Sequence, residues 1–509
     1  MKDRTPKFPG RVKLKPVAGQ TDTYDMTRAD DPDDTGTPFN TRTMLQDSTG
    51  RFLRLPVSNP FVDDALRHMP DRIEPIGTVK TSPALSLGDA WLPCDGSQVT
   101  FAEYPALCQL LRGVAGTDVE WDSTALGTTG VAGTITGPVF FDGKWKLAMA
   151  QPSVGSGTNY TTYPITVLTA DALTGPWSVE YQVNKDIYSL KRVWIAATED
   201  ACIVAFPSGA YHLGIKLTVL YRKTGASNWS EITAVENFGN AHIFGVDAYN
   251  GEFAIAYPNS NVGTAQAIVL HTSTPDVKSS WASTTAIMTA DTVYNQVSFS
   301  HAGDKWILAG ATSENNGGTY ATFVVAYSGD TSGFQFTRMP NPVTVGLVTQ
   351  GVNNVSRAVF YNGKFYVLLD GYVGLTGANT NKVVLASSVD LLNWEFQAVG
   401  TNTGYTTEWM ACDIAASDKM MAFANKWNTW VSSDPVAKVN KVTLPSGAVS
   451  DRLIFDGNTV YGFSNSAVVY HDYSTETRLL PEISLSDDTT TYIKAKNELD
   501  VFEAQESGG

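Results

Sequence analysis

The stretch "VFYNGKFYVLL", residues 359–369, sets two runs of alternating apolar residues on either side of Asn362-Gly363. Asn and Gly accept the positive φ that a two-residue turn requires, so the stretch reads as a tight β-hairpin. It recurs. Four more copies are "FFDGKWKLAM" at Asp142-Gly143, "AYNGEFAIAY" at Asn250-Gly251, "SHAGDKWILAG" at Gly303-Asp304 and "LIFDGNTVYGF" at Asp456-Gly457. Weaker versions, "WIAATEDACIVAF" at Glu199-Asp200 and "DIAASDKMMAF" at Ser417-Asp418, fill the gaps and bring the count to seven.

Each of the first five hairpins is followed by a second whose outer arm carries an aromatic residue: Trp177, Trp229, Trp281, Phe334 and Trp394. Their spacings are 52, 52, 53 and 60 residues. A four-stranded unit of about 50 residues, repeated around a ring so that each copy buries its neighbour's face, is the pattern of a β-propeller. The expected fold is therefore mostly β, a seven-bladed propeller over residues 131–479. A six-bladed ring is the alternative, because the seventh hairpin follows the sixth after only 39 residues. An irregular array of β-sandwiches is the competing architecture. "SSVDLLNW" and its cousins resemble the Asp-box turns of sialidase and five-bladed glycosidase propellers, although none completes the S-x-D-x-G-x-x-W pattern.

Composition narrows the function. The chain has 509 residues, 43% hydrophobic, with a formal net charge of −15. Such a surface repels phosphate backbones and anionic lipid, which argues against nucleic-acid or membrane partners. No run approaches the ~20 apolar residues that span a bilayer. The opening "MKDRTPKFPGR" has no apolar core and does not read as a secretory signal. Four scattered cysteines (Cys94, Cys108, Cys202, Cys412) form no CxxC, and six histidines show no HExxH spacing. No metal, no cofactor and no disulfide framework is expected.

The segments flanking the repeats resemble the phage tail-collar domain. The residues that carry the resemblance are Pro75-Ile76-Gly77, "WLPCDGS" from Trp91 through Cys94, Asp95 and Gly96 to Ser97, the helix entered at Tyr104-Pro105, Leu480-Pro481-Glu482, and "YIKAK" at 492–496. The resemblance implies a small α+β collar domain, residues 61–130 closed by 480–496, with the propeller inserted in it. Within it Cys94-Asp95-Gly96-Ser97 is a structural turn, Cys94 a buried thiol rather than a nucleophile, and Ser97 and Thr100 candidate helix caps. Residues 9–47 resemble the leader of tail and baseplate proteins of phages that infect Gram-positive hosts. That makes residues 1–60 an extended docking arm and residues 497–509 a C-terminal tail. Asp30, Asp31, Asp33 and Asp34 lack the spacing of a calcium loop. The family implies a homotrimer on a virion tail, assembled in the host cytoplasm with other tail or baseplate proteins.

Propeller strands run alternately up and down, so the tight turns collect on one side and the second-to-third loops on the other. Recognition residues tend to sit on such loops. The candidates are Tyr160 and Tyr163 in loop 151–163, Tyr211 and His212 in 206–212, and Asn259 and Asn261 in 258–263. Three further loops add Asn315, Asn316 and Tyr320 in 312–320, Asn379 in 371–381, and Trp427 and Trp430 in 425–430. Aromatic faces beside amides and hydroxyls suit a neutral host cell-surface polysaccharide.

The alternative function is a tail-associated glycosidase. It needs two carboxylates about 5–10 Å apart, for which Asp247, Asp413 and Asp370 are the candidates. A pocket for an acidic sugar would add several arginines, and only Arg357 lies plainly on an inner strand. A purely structural collar component is the third reading.

Overall fold

The computed structural model describes residues 12–16, 24–28, 76–82, 90–111, 121–127, 132–157, 159–188, 192–210, 214–238, 242–258, 265–289, 293–315, 319–338, 351–375, 378–402, 412–425, 428–434, 438–442, 452–464, 466–481 and 490–496. The chain divides into two compact units, Met1–Thr78 with Asn497–Gly509, and Val79–Lys496. In the first, Val12–Pro16 pairs antiparallel with Tyr24–Arg28, so part of the expected extended arm is a β-ribbon.

The second unit is a β-propeller. Among the described residues, seven successive four-stranded antiparallel sheets follow one another, the first with a short extra strand, Gly155–Gly157. Their innermost strands are Ala132–Phe141, Trp194–Ala197, Gly245–Tyr249, Val293–Ala302, Gly351–Tyr361, Cys412–Ala416 and Arg452–Asp456, in blades 1 to 7. Each inner strand lies against the next, and that of blade 7 returns to that of blade 1. All seven tight turns read from the sequence join a first strand to a second. The ring closes through a strand that sequence reading left in the collar segment. Asp122–Ala125 forms the outer edge of blade 7, pairing with Ala467–Asp472. Its four residues, "DSTA", three polar and one alanine, carry no hydrophobic alternation by which to find it.

Apolar side chains of neighbouring sheets interdigitate to make the core. Between blades 2 and 3, Ile203, Leu217, Phe253 and Ile255 are fully buried. Between blades 7 and 1, Phe463 and Val468 meet Leu147, Met149 and Leu168, which is the closure expressed as packing. The recurrent tryptophan folds back onto its own turn: Nε1 of Trp177 donates to Leu173 O at 3.2 Å, and that of Trp394 to Leu391 O at 3.1 Å. The indole packs against its blade whether its N–H is satisfied locally, as in Trp177, or left without a partner, as in Trp229, so packing is what repeats.

The flanks do meet. Thr490–Lys494 lies between Val79–Ser82 and Trp91–Pro93 in one small sheet, and Thr477–Leu479 pairs with Gln98–Thr100. The helix Pro105–Leu110 packs against the third strand of blade 6, Asn428–Asp434. That strand ends on the tight-turn side, as does Ala467–Asp472, so the flanking module sits on that side. The loop side faces away from it.

Candidate functional site

Every inner strand starts on the loop side, so its first residues line the loop-side mouth of the axial channel. Arg452 and Cys412 open their strands, with Asp413 next, and Arg192 lies just ahead of Trp194–Ala197. With Asp247 and Arg357 they surround an axial cavity of about 60 Å³.

Arg357 reaches the axis because its strand is irregular. The pairing with Lys364–Leu375 slips between Val355 and Ala358, and Leu368 N donates to the Ser356 hydroxyl at 2.8 Å. A bulge of this kind re-aims the side chain it carries. Arg357 Nε then donates to Asp413 Oδ1 at 3.0 Å and to Ile414 O at 2.9 Å, and Nη2 to Leu453 O at 2.6 Å. Asp413 Oδ2 also accepts from Leu453 N at 2.7 Å, and Oδ1 lies 3.5 Å from Arg452 Nη1. One carboxylate thus ties blades 5, 6 and 7 together.

The layering is asymmetric. The Asp413 side chain is 4% exposed, whereas Arg357 and Arg452 keep 24% and 25%. The carboxylate stands behind, and the two guanidinium groups stand between it and the cavity. Burial, then the neighbouring Arg357, lowers the Arg452 pKa to about 10, so the group stays charged at neutral pH.

Asp247 and Asp413, read from the sequence as candidate acids, line this one cavity. Both are engaged. Asp247 accepts from Ala248 N at 2.9 Å and, across to blade 4, from His301 N at 2.8 Å. Asp370 lies on the second strand of blade 5, not an inner one, and its side chain is outside the described residues. Sequence reading credited the axis with Arg357 alone, whereas Arg452 and Arg192 stand there too. A signal for Arg452 existed. Counted four residues back from the residue that closes the tight turn in blades 4 to 7 (Ala302, Tyr361, Ser417, Asp456), the positions are Ser298, Arg357, Asp413 and Arg452.

The loop-side candidates divide. Trp430 does not face a ligand: it is 3% exposed and stacks on Phe423 at 5.8 Å within the core between blades 5 and 6. Strand alternation puts it on the packed face of a short blade. Tyr163 is half-buried against the core between blades 1 and 2, and Tyr160 is half-buried at the start of the same strand. Asn315, Tyr320 and Asn379 fall in strands, with side chains outside the described residues. The segments expected as long loops at 312–320 and 371–381 are largely ribbon. Pairing continues to Asn315↔Thr319 in blade 4 and Leu375↔Ala378 in blade 5. Their sequences, rich in Gly, Asn and Thr, carry no apolar period by which to find the strands. Tyr211, His212, Asn259, Asn261, Asn316 and Trp427 lie outside the described residues.

In the flanking module, Trp91 and Cys94 are buried, and burial, then Asp95, raises the Cys94 pKa away from nucleophilic use. Asp95 accepts from Ser97 N at 2.9 Å across Gly96, whose φ is +75°. Thr100 closes the turn ahead of the helix rather than capping it: its hydroxyl accepts from Glu103 N at 3.3 Å and donates to the Glu103 carboxylate at 3.0 Å, two residues short of Pro105. The helix begins at Pro105, and Lys496 lies 4.6 Å from the Tyr104 ring centroid. Among the described residues no cluster of metal-ligating side chains occurs, and no helix is long and apolar enough to cross a membrane.

A second cleft, of about 720 Å³, crosses blades 1 to 3 on the tight-turn side between Phe140, Asp142, Glu199, Asp200 and Tyr249.

No family model matches this sequence, and no curated protein matches it. Among solved structures the chain is similar to a mutant Trypanosoma rangeli sialidase displaying trans-sialidase activity, at 10% identity and a TM-score of 0.37 over 72% of this chain and 60% of that one. It is similar to the Drosophila semaphorin 1b extracellular domains 1-2, at 9% and 0.37 over 70% and 87%. A polysaccharide lyase bound to a sulfated glucuronic acid–rhamnose unit matches at 10% and 0.36 over 72% and 99%. Likenesses this distant carry no argument about chemistry, which rests on the site itself.

Proposed function

We propose that this protein is a receptor-binding protein of a phage or prophage tail, a tail-fibre or baseplate component. In this reading it attaches to the tail through its N-terminal segment and presents the loop side of the propeller to a cell-surface glycan. The collar resemblance of the flanks supplies the tail setting and, with it, a homotrimer. The observation that carries the reading is one-sidedness. Both propeller ends and the flanking module occupy the tight-turn side, which leaves the channel mouth and the ribbons of blades 4 and 5 facing outward.

The test is retention of the purified protein on a panel of cell-wall polysaccharides, with released reducing ends followed over a day. Saturable retention without release, weakened by replacing residues 312–320 with a short turn, supports the reading. A glycosidase is the second reading, favoured by Asp247 and Asp413 sharing the axial cavity. Release of reducing ends, abolished in Asp247→Asn or Asp413→Asn proteins of unchanged melting temperature, would establish it. No retention by any envelope fraction would leave a structural component of the tail.

A further inference from the structure

We infer that the channel mouth is a carboxylate subsite, in which Arg452 and Arg357 hold the charge of an acidic sugar residue such as a uronic acid at the end of the glycan. This rests on the glycan reading above and names the chemistry of the residue that enters the channel.

Charge comes first. Three guanidinium groups (Arg192, Arg357, Arg452) and two carboxylates (Asp247, Asp413) line the cavity, a formal excess of one positive charge. A chain of net charge −15 has ample carboxylates with which to cancel it, yet no third one lines the cavity among the described residues.

Hydrogen bonding points the same way. Asp413 already accepts from Arg357 and Leu453 N, and both Asp247 oxygens accept backbone N–H groups. Neither carboxylate makes a close bond to Arg452, whose approach to Asp413 is 3.5 Å. A guanidinium carries five N–H donors in a planar fork. Those of Arg452 left over are in a site where burial already penalises its charge. An incoming oxyanion would relieve that penalty with charge-assisted, bidentate bonds.

Size selects the group. A cavity of about 60 Å³ takes a carboxylate and a water or two, not a sugar ring. The ring would stay in the mouth with only its charged substituent on the axis. Asp413 is then a positioning residue, holding two arginines in register from behind.

The experiment is calorimetric titration of the full chain with glucuronate and galacturonate, with their neutral methyl esters, and with inorganic phosphate. Saturable binding of a uronate, absent for its ester and weakened at least tenfold in Arg452→Gln at unchanged melting temperature, is the expected result. If Arg452→Gln fails to fold, Arg452→Lys serves, because it keeps the charge, loses the fork and should still bind several-fold more weakly. Equal binding of uronate and ester, no binding of either uronate, or binding indifferent to Arg452 would overturn the inference. Phosphate bound more tightly than either uronate would overturn the assignment to a sugar carboxylate. Retention on neutral polysaccharides without any uronate response would sink this subsite and leave the glycan reading standing, whereas failure on every polysaccharide would sink the glycan reading itself.

Discussion

The two ends of the inner strands solve the same problem differently. At the turn end, blades 1, 3 and 5 use one device. Asp142, Asn250 and Asn362 take φ of +53°, +54° and +45°, and the glycines that follow take +76°, +81° and +74°. Two successive positive φ values make the hairpin turn whose twist matches the strands. At the mouth end the blades differ, with Ser298, Arg357, Asp413 and Arg452 at corresponding positions, and each of these side chains bonds across to a neighbouring blade. At the turn end each of these turns is closed by its own backbone, to which Asp142 adds a pair with Arg222 of blade 2 and Tyr361 a bond from its hydroxyl to Lys419 O of blade 6 at 2.8 Å. The mouth end is held by partners distant in sequence, and there a ligand can compete for the same donors.

Removing Arg357 is the sharpest way to break that contrast. Arg357→Ala would leave the buried Asp413 carboxylate with only Leu453 N and a distant Arg452. Removing one partner of a buried pair costs about 3–5 kcal/mol, and the partial exposure of Arg357 places the expectation near the lower figure. Denaturant midpoints would read it directly. A loss below about 1 kcal/mol would mean that the network positions groups without holding the blades.

Close backbone approach is the next largest effect. Gly245 begins the inner strand of blade 3, where an added Cβ would lie 2.2 Å from Phe299 O of blade 4. Gly245→Ala must push two inner strands apart, at an expected cost of about 2 kcal/mol. At the turn end the analogous change is milder. Asn250→Ala asks alanine to adopt φ +54°, which costs about 1 kcal/mol. If the order of these two losses reversed, turn geometry rather than blade contact would govern stability.

This contrast also explains what the sequence made legible. The turns were readable because Asp-Gly and Asn-Gly impose a local backbone shape, and the buried arms alternate. The closing strand Asp122–Ala125 and the polar ribbons of blades 4 and 5 were not, because what defines them is a partner rather than a pattern. Three of the five charged groups at the mouth were visible: Asp247, Asp413 and Arg357 sit in apolar runs whose inward faces can be counted. Arg452 was lost beside Asp451 at a boundary that reads as a turn, and Arg192 precedes its strand. Trp430 misled because a tryptophan near a loop has the same letters whether it stacks on a sugar or on Phe423.

Among the turn-end residues that meet a neighbouring blade, His301 gives the finest test. His301 of blade 4 stacks on Tyr249 of blade 3, ring centroids 3.5 Å apart and 13° from parallel, and its Nε2 is buried without a hydrogen-bond partner. Burial lowers its pKa from the ordinary value, and Asp247 and Asp304 oppose that shift less strongly. The folded protein therefore prefers neutral imidazole, while the unfolded chain titrates near pH 6.5. Between the folded pKa and 6.5 the unfolded state binds more protons, so stability is complete above about pH 6.5 and falls as the solution is acidified through that window. A single proton sets a ceiling of about 1.4 kcal/mol per pH unit. His301→Phe keeps the stack and removes the proton. The stability difference between the two proteins, followed from pH 7.5 to 5, should tilt in favour of the variant on the acid side. A difference independent of pH would mean that water reaches Nε2.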